Sequence, residues 1–318
     1  MKSNVLKAAA LAAVVILGLA GCGGDSASPS PSLTAGSGLG SDADRAALAS
    51  ITWGADVDGL PLLTFDAPLS LAEGASRLVK GGDGDEIAGG DLVTFDYTIT
   101  NGADGSVSAS TYADGVGPQS LVLTEAELDP VFYNALVGQK VGAQIIYAKL
   151  STDPSGLTVD LVPILGAITI SKVSTPLARA EGTTVVPADG LPAVTLADTG
   201  APSVAIPATD PPADLVVQTL IEGAGSPVAE GQMIVAHYSG WLWNGTSFDS
   251  SWTLGNAAGF VLADGQLIAG WVDGLVGKAV GSQVLLVIPP SLGYGDVAKG
   301  SIPAGSTLVF VVDILAAA

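Results

Sequence analysis

The chain has 318 residues, a length that suits about two domains, and 48% of them are hydrophobic against 13% charged, a balance that favours packed domains over disorder. It carries 31 acidic and 11 basic residues, a formal charge of −20, which excludes nucleic acid as a partner because phosphate binding needs clustered Lys and Arg. The carboxylates read instead as the solubilising surface of an extracytoplasmic protein.

The first residues read as an address. Lys2 and Lys7 form a charged n-region, and Ala8 to Ala20 is an apolar h-region too short to span comfortably a bilayer core of about 30 Å. The segment ends Leu19-Ala20-Gly21-Cys22, which resembles the bacterial lipobox, where the Cys is lipidated and begins the mature protein. That resemblance implies a signal peptide over 1–21, a lipid anchor on Cys22 and a place on the outer side of a membrane. Cys22 is the only Cys, so no disulfide forms within the chain. Residues 22–44 then hold the lipidated Cys and a Ser/Pro/Gly-rich flexible spacer.

Beyond the spacer the chain repeats itself. Asp58-Gly59-Leu60-Pro61 returns as Asp189-Gly190-Leu191-Pro192, and the block starting at Leu78 returns, one residue shorter, at Leu220. Leu136, Gly138, Val141, Gly142 and Gln144 return 139 positions later as Leu275, Gly277, Val280, Gly281 and Gln283. Offsets of this size indicate duplicated domains rather than solenoid repeats of about 20–50 residues. The boundaries are a first domain over 45–180, a Pro- and Ala-rich joint over 181–212, and a second domain over 213–318.

The elements are mostly strands. Leu92–Thr98 is strand-like in the first copy; in the second, Met233–Tyr238, Val284–Ile288 and Thr307–Val312 are β-prone, the last two apolar throughout and so central. Between them Ile268–Val276 carries apolar pairs four apart, Trp271 with Leu275 and Val272 with Val276, which suits one short helix. Several strands around one helix is an α+β layout.

Three phrases of the second copy, EGQMIVAHYSGWLWNGTSFDSS, LIAGWVDGLVGKAVGSQVLLVIPPSLGYG and IPAGSTLVFVVDIL, resemble the FKBP-type peptidyl-prolyl cis-trans isomerases, the immunophilins, in order and spacing over roughly 105 residues. The resemblance implies a twisted antiparallel sheet curled around the short helix. By the same matching, Trp271 floors a proline pocket walled by Tyr238, Phe248 and Phe310, with Phe260 a further aromatic that is also read as plain core. Ile268, in Leu267-Ile268 where the usual motif has Val-Ile, supplies a backbone N–H to a ligand carbonyl. Tyr294 donates its hydroxyl to the substrate carbonyl, and Asp249 has a polar, orienting role. Leu292, Ala304 and a 296–301 loop without aromatics depart from the family pattern and leave specificity open.

The chemistry suits such a composition. Rotation about an X-Pro bond faces a barrier of about 18–20 kcal/mol from amide resonance and needs no nucleophile or net proton transfer. An apolar pocket that strips water from the carbonyl, with a few preorganised donors, favours the twisted amide. No cofactor is called for. His237, the only His, lies beside Tyr238 where strand alternation points it away from the pocket, and one His with one Cys leaves no dedicated zinc site. No P-loop spacing accompanies the glycines.

In the first copy Tyr97 aligns with Tyr238 and Phe132 with Trp271, but Val107-Ser108 replaces Phe248-Asp249 and no Gly-Tyr-Gly phrase follows. It reads as a degenerate FKBP-like domain without isomerase activity. Two function classes stand: a membrane-anchored isomerase acting on proline-containing peptides and unfolded exported proteins, with macrolide immunophilin ligands a further implied class, and a non-catalytic FKBP-like peptide-binding chaperone or scaffold.

Overall fold

The computed structural model describes residues 38–55, 59–152 and 161–318, so the leader and Cys22 lie outside the described residues. The chain divides after Val173 into two units.

In the first unit β1 (Gly38–Leu39), α1 (Asp42–Ala49) and the paired β2 (Thr52–Ala55) and β3 (Pro61–Thr64) precede a sheet. The sheet is built from β4 (Gly74–Lys80), β5 (Leu92–Asn101), β6 (Val107–Ser110), β7 (Gln119–Val122), β8 (Gln144–Thr152) and β9 (Leu161–Ser174), with α2 (Pro130–Leu136) between β7 and β8. Its order is β1-β4-β8-β9-β5-β6, with β7 also paired to β5. One face packs on α2; the other is covered by Leu48 and Ile51 at the end of α1 and by Leu63 of β3. The buried Asp44 carboxylate ties α1 down by accepting the Ala72 and Glu73 N–H groups at 2.8 and 3.2 Å.

The second unit holds β10 (Gly182–Thr184), β11 (Ala193–Leu196), β12 (Pro202–Ala205), β13 (Val216–Gly223), β14 (Met233–Leu242), β15 (Ser247–Ser250), α3 (Ser251–Leu254), β16 (Ala258–Val261), α4 (Ala269–Leu275), β17 (Gln283–Ile288) and β18 (Leu308–Ala317). Its order, β10-β13-β17-β18-β14-β15 with β16 on β14, repeats that of the first unit strand for strand. β17 and β18 are apolar along nearly their whole length because both of their faces are covered, one by α4 and the pocket aromatics, the other by an N-terminal strap.

That strap changes the reading of 181–212 as a joint. β10 pairs with β13, and β11 and β12 form a hairpin. Leu191, Val194, Val204 and Ile206 pack over Trp241, Leu285, Val287 and Val309. The Ala180 N–H donates to the buried Asp313 carboxylate at 2.9 Å, and Glu181 N–H to the Gly281 carbonyl at 2.9 Å. A Pro- and Ala-rich composition hides the alternation of apolar residues that anchors the segment. In the first unit β1 and the start of α1 lie before residue 45, within the stretch read as spacer.

Candidate active site

The pocket grows from three places in the second unit. β14 brings Tyr238 to the helix-facing side of the sheet, β15 brings Phe248 and Asp249, and β18 brings Phe310. α4 lies close over β17 because glycines face it: a Cβ at Gly270 would come 2.5 Å from Ile288, and one at Gly274 2.5 Å from Leu286. This approach sets Trp271, 4% exposed, as the floor.

Around it the rings meet edge to face or tilted, the geometry aromatic quadrupoles prefer. Trp271 lies 5.4 Å from Phe310, 5.7 Å from Tyr238 and 5.0 Å from Phe260, and Phe248 lies 5.4 Å from Phe310. Tyr238, Phe248, Phe260, Ile268 and Tyr294 are each half-buried against this cluster, so part of each remains exposed. Gly240 is required here, since a Cβ on it would stand 2.5 Å from Phe248 Cζ and 2.9 Å from Phe310 Cε1.

The polar groups are few. The Tyr238 hydroxyl donates to Asp249 Oδ2 at 2.7 Å, which fixes an otherwise exposed carboxylate at the rim. Burial pushes the Tyr238 phenol well above its ordinary range, helped by the Asp249 hydrogen bond and charge and by Tyr294. The Ile268 N–H, at the start of α4, and the Tyr294 hydroxyl make no hydrogen bond within the described residues. No group of three or more His, Cys, Asp or Glu there could hold a metal ion.

The family model of FKBP-type peptidyl-prolyl cis-trans isomerases matches residues 225–315. An FK506-binding protein of Streptomyces anulatus is 42% identical over 118 residues, 36% of this chain and 95% of the relative. One from Neisseria meningitidis serogroup B is 42% identical over 102 residues, 32% of this chain and 94% of its own length. Among solved structures, FkpA from Escherichia coli aligns at 35% identity over 41% of this chain and 52% of that one, with a TM-score of 0.32. The chain belongs to the FKBP-type peptidyl-prolyl cis-trans isomerases.

The first FKBP-like unit keeps the frame and fills the pocket. Sheet register corrects one pairing expected from sequence. Thr98 and Ile99 oppose Ser110 and Ala109, as Ser239 and Gly240 oppose Ser250 and Asp249, so Ser108-Ala109 rather than Val107-Ser108 stands in place of Phe248-Asp249. Both hairpins carry the same bulge, but the turn of the first, 101–106, is one residue longer than 242–246 in the second, and that shifts the count. Leu121 stands for Phe260 and Asp129 for Ile268. Where Leu286 faces Phe310 across β17 and β18, Tyr147 faces Gly166. The ring has changed strands, and Tyr147 meets Phe132 edge to face at 5.1 Å as Phe310 meets Trp271. Ile99 occupies the position of Gly240, and Asp129 caps its own helix by accepting the Val131 and Phe132 N–H groups. Tyr97, Phe132 and Tyr147 are all fully buried. The counterpart of Tyr294 would fall among residues 153–160, outside the described ones.

Sequence matching did not single out Ser251 or Trp252. Ser251 is the last residue of the quoted phrase and Trp252 comes just after it, and the buried Ser251 hydroxyl takes the Tyr238 N–H at 2.8 Å.

Proposed function

We propose that the second unit is the working isomerase of this chain, that it turns X-Pro bonds in exported proteins on the outer side of a bacterial membrane, and that Cys22 carries the lipid that holds it there. The observation that carries the catalytic part is a half-buried aromatic box with two donors, Ile268 N–H and Tyr294 O–H, that make no hydrogen bond among the described residues.

A proline ring lies on Trp271 between Tyr238, Phe248 and Phe310. The planar amide leaves water on entry, which costs its resonance-polarised carbonyl more than the twisted amide, whose dipole is smaller. The substrate carbonyl oxygens accept from Ile268 N–H and the Tyr294 hydroxyl, in positions that need no reorganisation as the bond turns. Asp249, held by Tyr238, places a fixed negative edge beside the rotating group and takes no proton. Each 1.4 kcal/mol of such preference is worth about tenfold in rate. Proline-containing peptides are the substrates, and the same apolar box suits macrolide ligands of the FK506 class.

The first unit is non-catalytic, because its walls are filled from within and its helix start is capped by Asp129. The test is an NMR exchange assay on an X-Pro peptide with the full chain. Tyr294→Phe and Asp249→Ala should each lower kcat/KM about tenfold, the loss of roughly one hydrogen bond at a charged or desolvated centre. Phe132→Ala in the first unit should leave turnover in place. Peptide binding without any turnover would make the chain a binding module, the second reading.

A further inference from the structure

His237 is the only histidine of the chain and points to the side of the sheet opposite Tyr238. There its ring stacks on Trp252, with centroids 3.9 Å apart and planes 20° from parallel. Its Nδ1 lies 2.9 Å from the Ser251 hydroxyl. That hydroxyl accepts the Tyr238 N–H at 2.8 Å and stands 3.2 Å from the Tyr238 carbonyl oxygen. Three backbone or ring atoms thus converge on one buried hydroxyl that has a single proton to give.

Where that proton goes depends on the imidazole. A neutral ring with bare Nδ1 accepts from Ser251. An imidazolium donates from Nδ1 to Ser251, whose own proton must then turn to the Tyr238 carbonyl. One proton on His237 therefore redirects a hydrogen bond at the backbone of the residue that holds Asp249.

We propose that His237 is a positioning residue of the isomerase site, acting through the Ser251 hydroxyl to set Tyr238 and the Tyr238–Asp249 pair. The proposal rests on the isomerase reading of the pocket. The first unit supplies the contrast. Thr111 Oγ1 takes the Tyr97 N–H at 2.9 Å, as Ser251 takes that of Tyr238, but it donates at 3.1 Å to Asp96, which stands in place of His237. A carboxylate accepts only, and the other contact of that hydroxyl, the Tyr97 carbonyl at 3.4 Å, is an acceptor too, so no ionised side chain there donates to it; the frame keeps the bridge, and the unit with the half-buried aromatic box has the residue that can reverse it.

The ring is braced from outside. A Cβ at Gly200, in the turn between β11 and β12, would meet Trp252 Cη2 at 3.2 Å and Arg179 Cβ and Cδ at the same distance. The charged groups around the stack are accounted for. Asp313 lies opposite His237 in register, and its carboxylate takes the Ala180 N–H and the Gln283 amide at 2.9 and 2.8 Å; Arg179 donates to the Asp198 carbonyl at 3.1 Å. Burial holds the imidazole below its ordinary range, so the ring is neutral at neutral pH and the reversal falls on the acid side.

The experiment follows the Tyr238 amide shift, the His237 ring nitrogens and X-Pro exchange together, in the full chain from pH 8 downward. The Tyr238 amide should titrate with the imidazole, and kcat should fall several-fold across the same step. In His237→Asn, whose amide reaches Ser251 without a titratable proton, the ratio of kcat at pH 8 to kcat below the step should drop to about one. A Tyr238 amide that ignores the His237 titration overturns the proposal, as does an unchanged profile in His237→Asn. Should that variant fail to fold, the amide titration of the unaltered chain decides alone. Absence of turnover in the unaltered chain would sink the isomerase reading and leave the amide titration to judge the relay.

Discussion

Burial lowers the acidity range of His237, and the sign of its effect on stability follows. The unfolded chain binds a proton near the ordinary value of about 6.5, before the folded chain does. Between the two the unfolded state holds more protons, so the contribution of the neutral ring is full above that value and is lost as pH falls, levelling off below the folded-state value. Denaturation midpoints of the unaltered chain should therefore drop relative to those of His237→Gln as pH is lowered from 7 to 5. Equal slopes for the two proteins would mean that the ring is not desolvated in solution. Trp271 and Tyr294 were legible as candidate site residues at this scale because they sit inside long phrases whose order is specific. Ser251 was not, since a serine in a polar phrase carries no mark of the backbone amide it will accept.

The strands β14, β17 and β18 could be read from their apolar, β-prone runs, though β14 and β18 extend to Leu242 and Ala317. Their ends escaped the reading because the residues beyond, such as Ser239-Gly240 and Asp313, are poor strand formers made tolerable by pairing on both sides. The strap and the hairpin of β11 and β12 escaped it for a different reason: what fixes them is the exposed back of another element, not their own propensity. Asp313 is the pin. Its carboxylate is buried, and the desolvation that raises its acidity range is offset in part by the Ala180 N–H and Gln283. Asp313→Ala should orphan both donors at a cost of about 1–3 kcal/mol and speed hydrogen exchange at the Ala180 amide well before global unfolding. Unchanged protection at Ala180 would show that packing alone holds the strap.

At the scale of the molecule, each unit closes the back of its sheet with the segment that precedes it, α1 and β3 in one case and β11 with β12 in the other. The repeated frame was visible in the three matched blocks, yet of the covering segments only 58–61 and 189–192 match, so their shared place was not. A fragment over 213–318 would bare Trp241, Leu285, Val287 and Val309, an apolar face of the kind that marks association. It should bind a hydrophobic dye and aggregate where a fragment over 174–318 does not. Equal solubility of the two would show that the strap is dispensable for the fold.

The exchange of Leu286 and Phe310 for Tyr147 and Gly166 has a consequence for descent. Restoring a Phe at 166 alone would press a second ring into space that Tyr147 fills, a clash of about 1–3 kcal/mol. Restoring a Leu at 147 alone would leave a hollow of comparable or greater cost. Ile99, Ser108 and Ala109 would still have to change before a proline found a wall. No single mutation opens the first pocket, so its filling by Tyr147, Ile99 and their neighbours behaves as a ratchet.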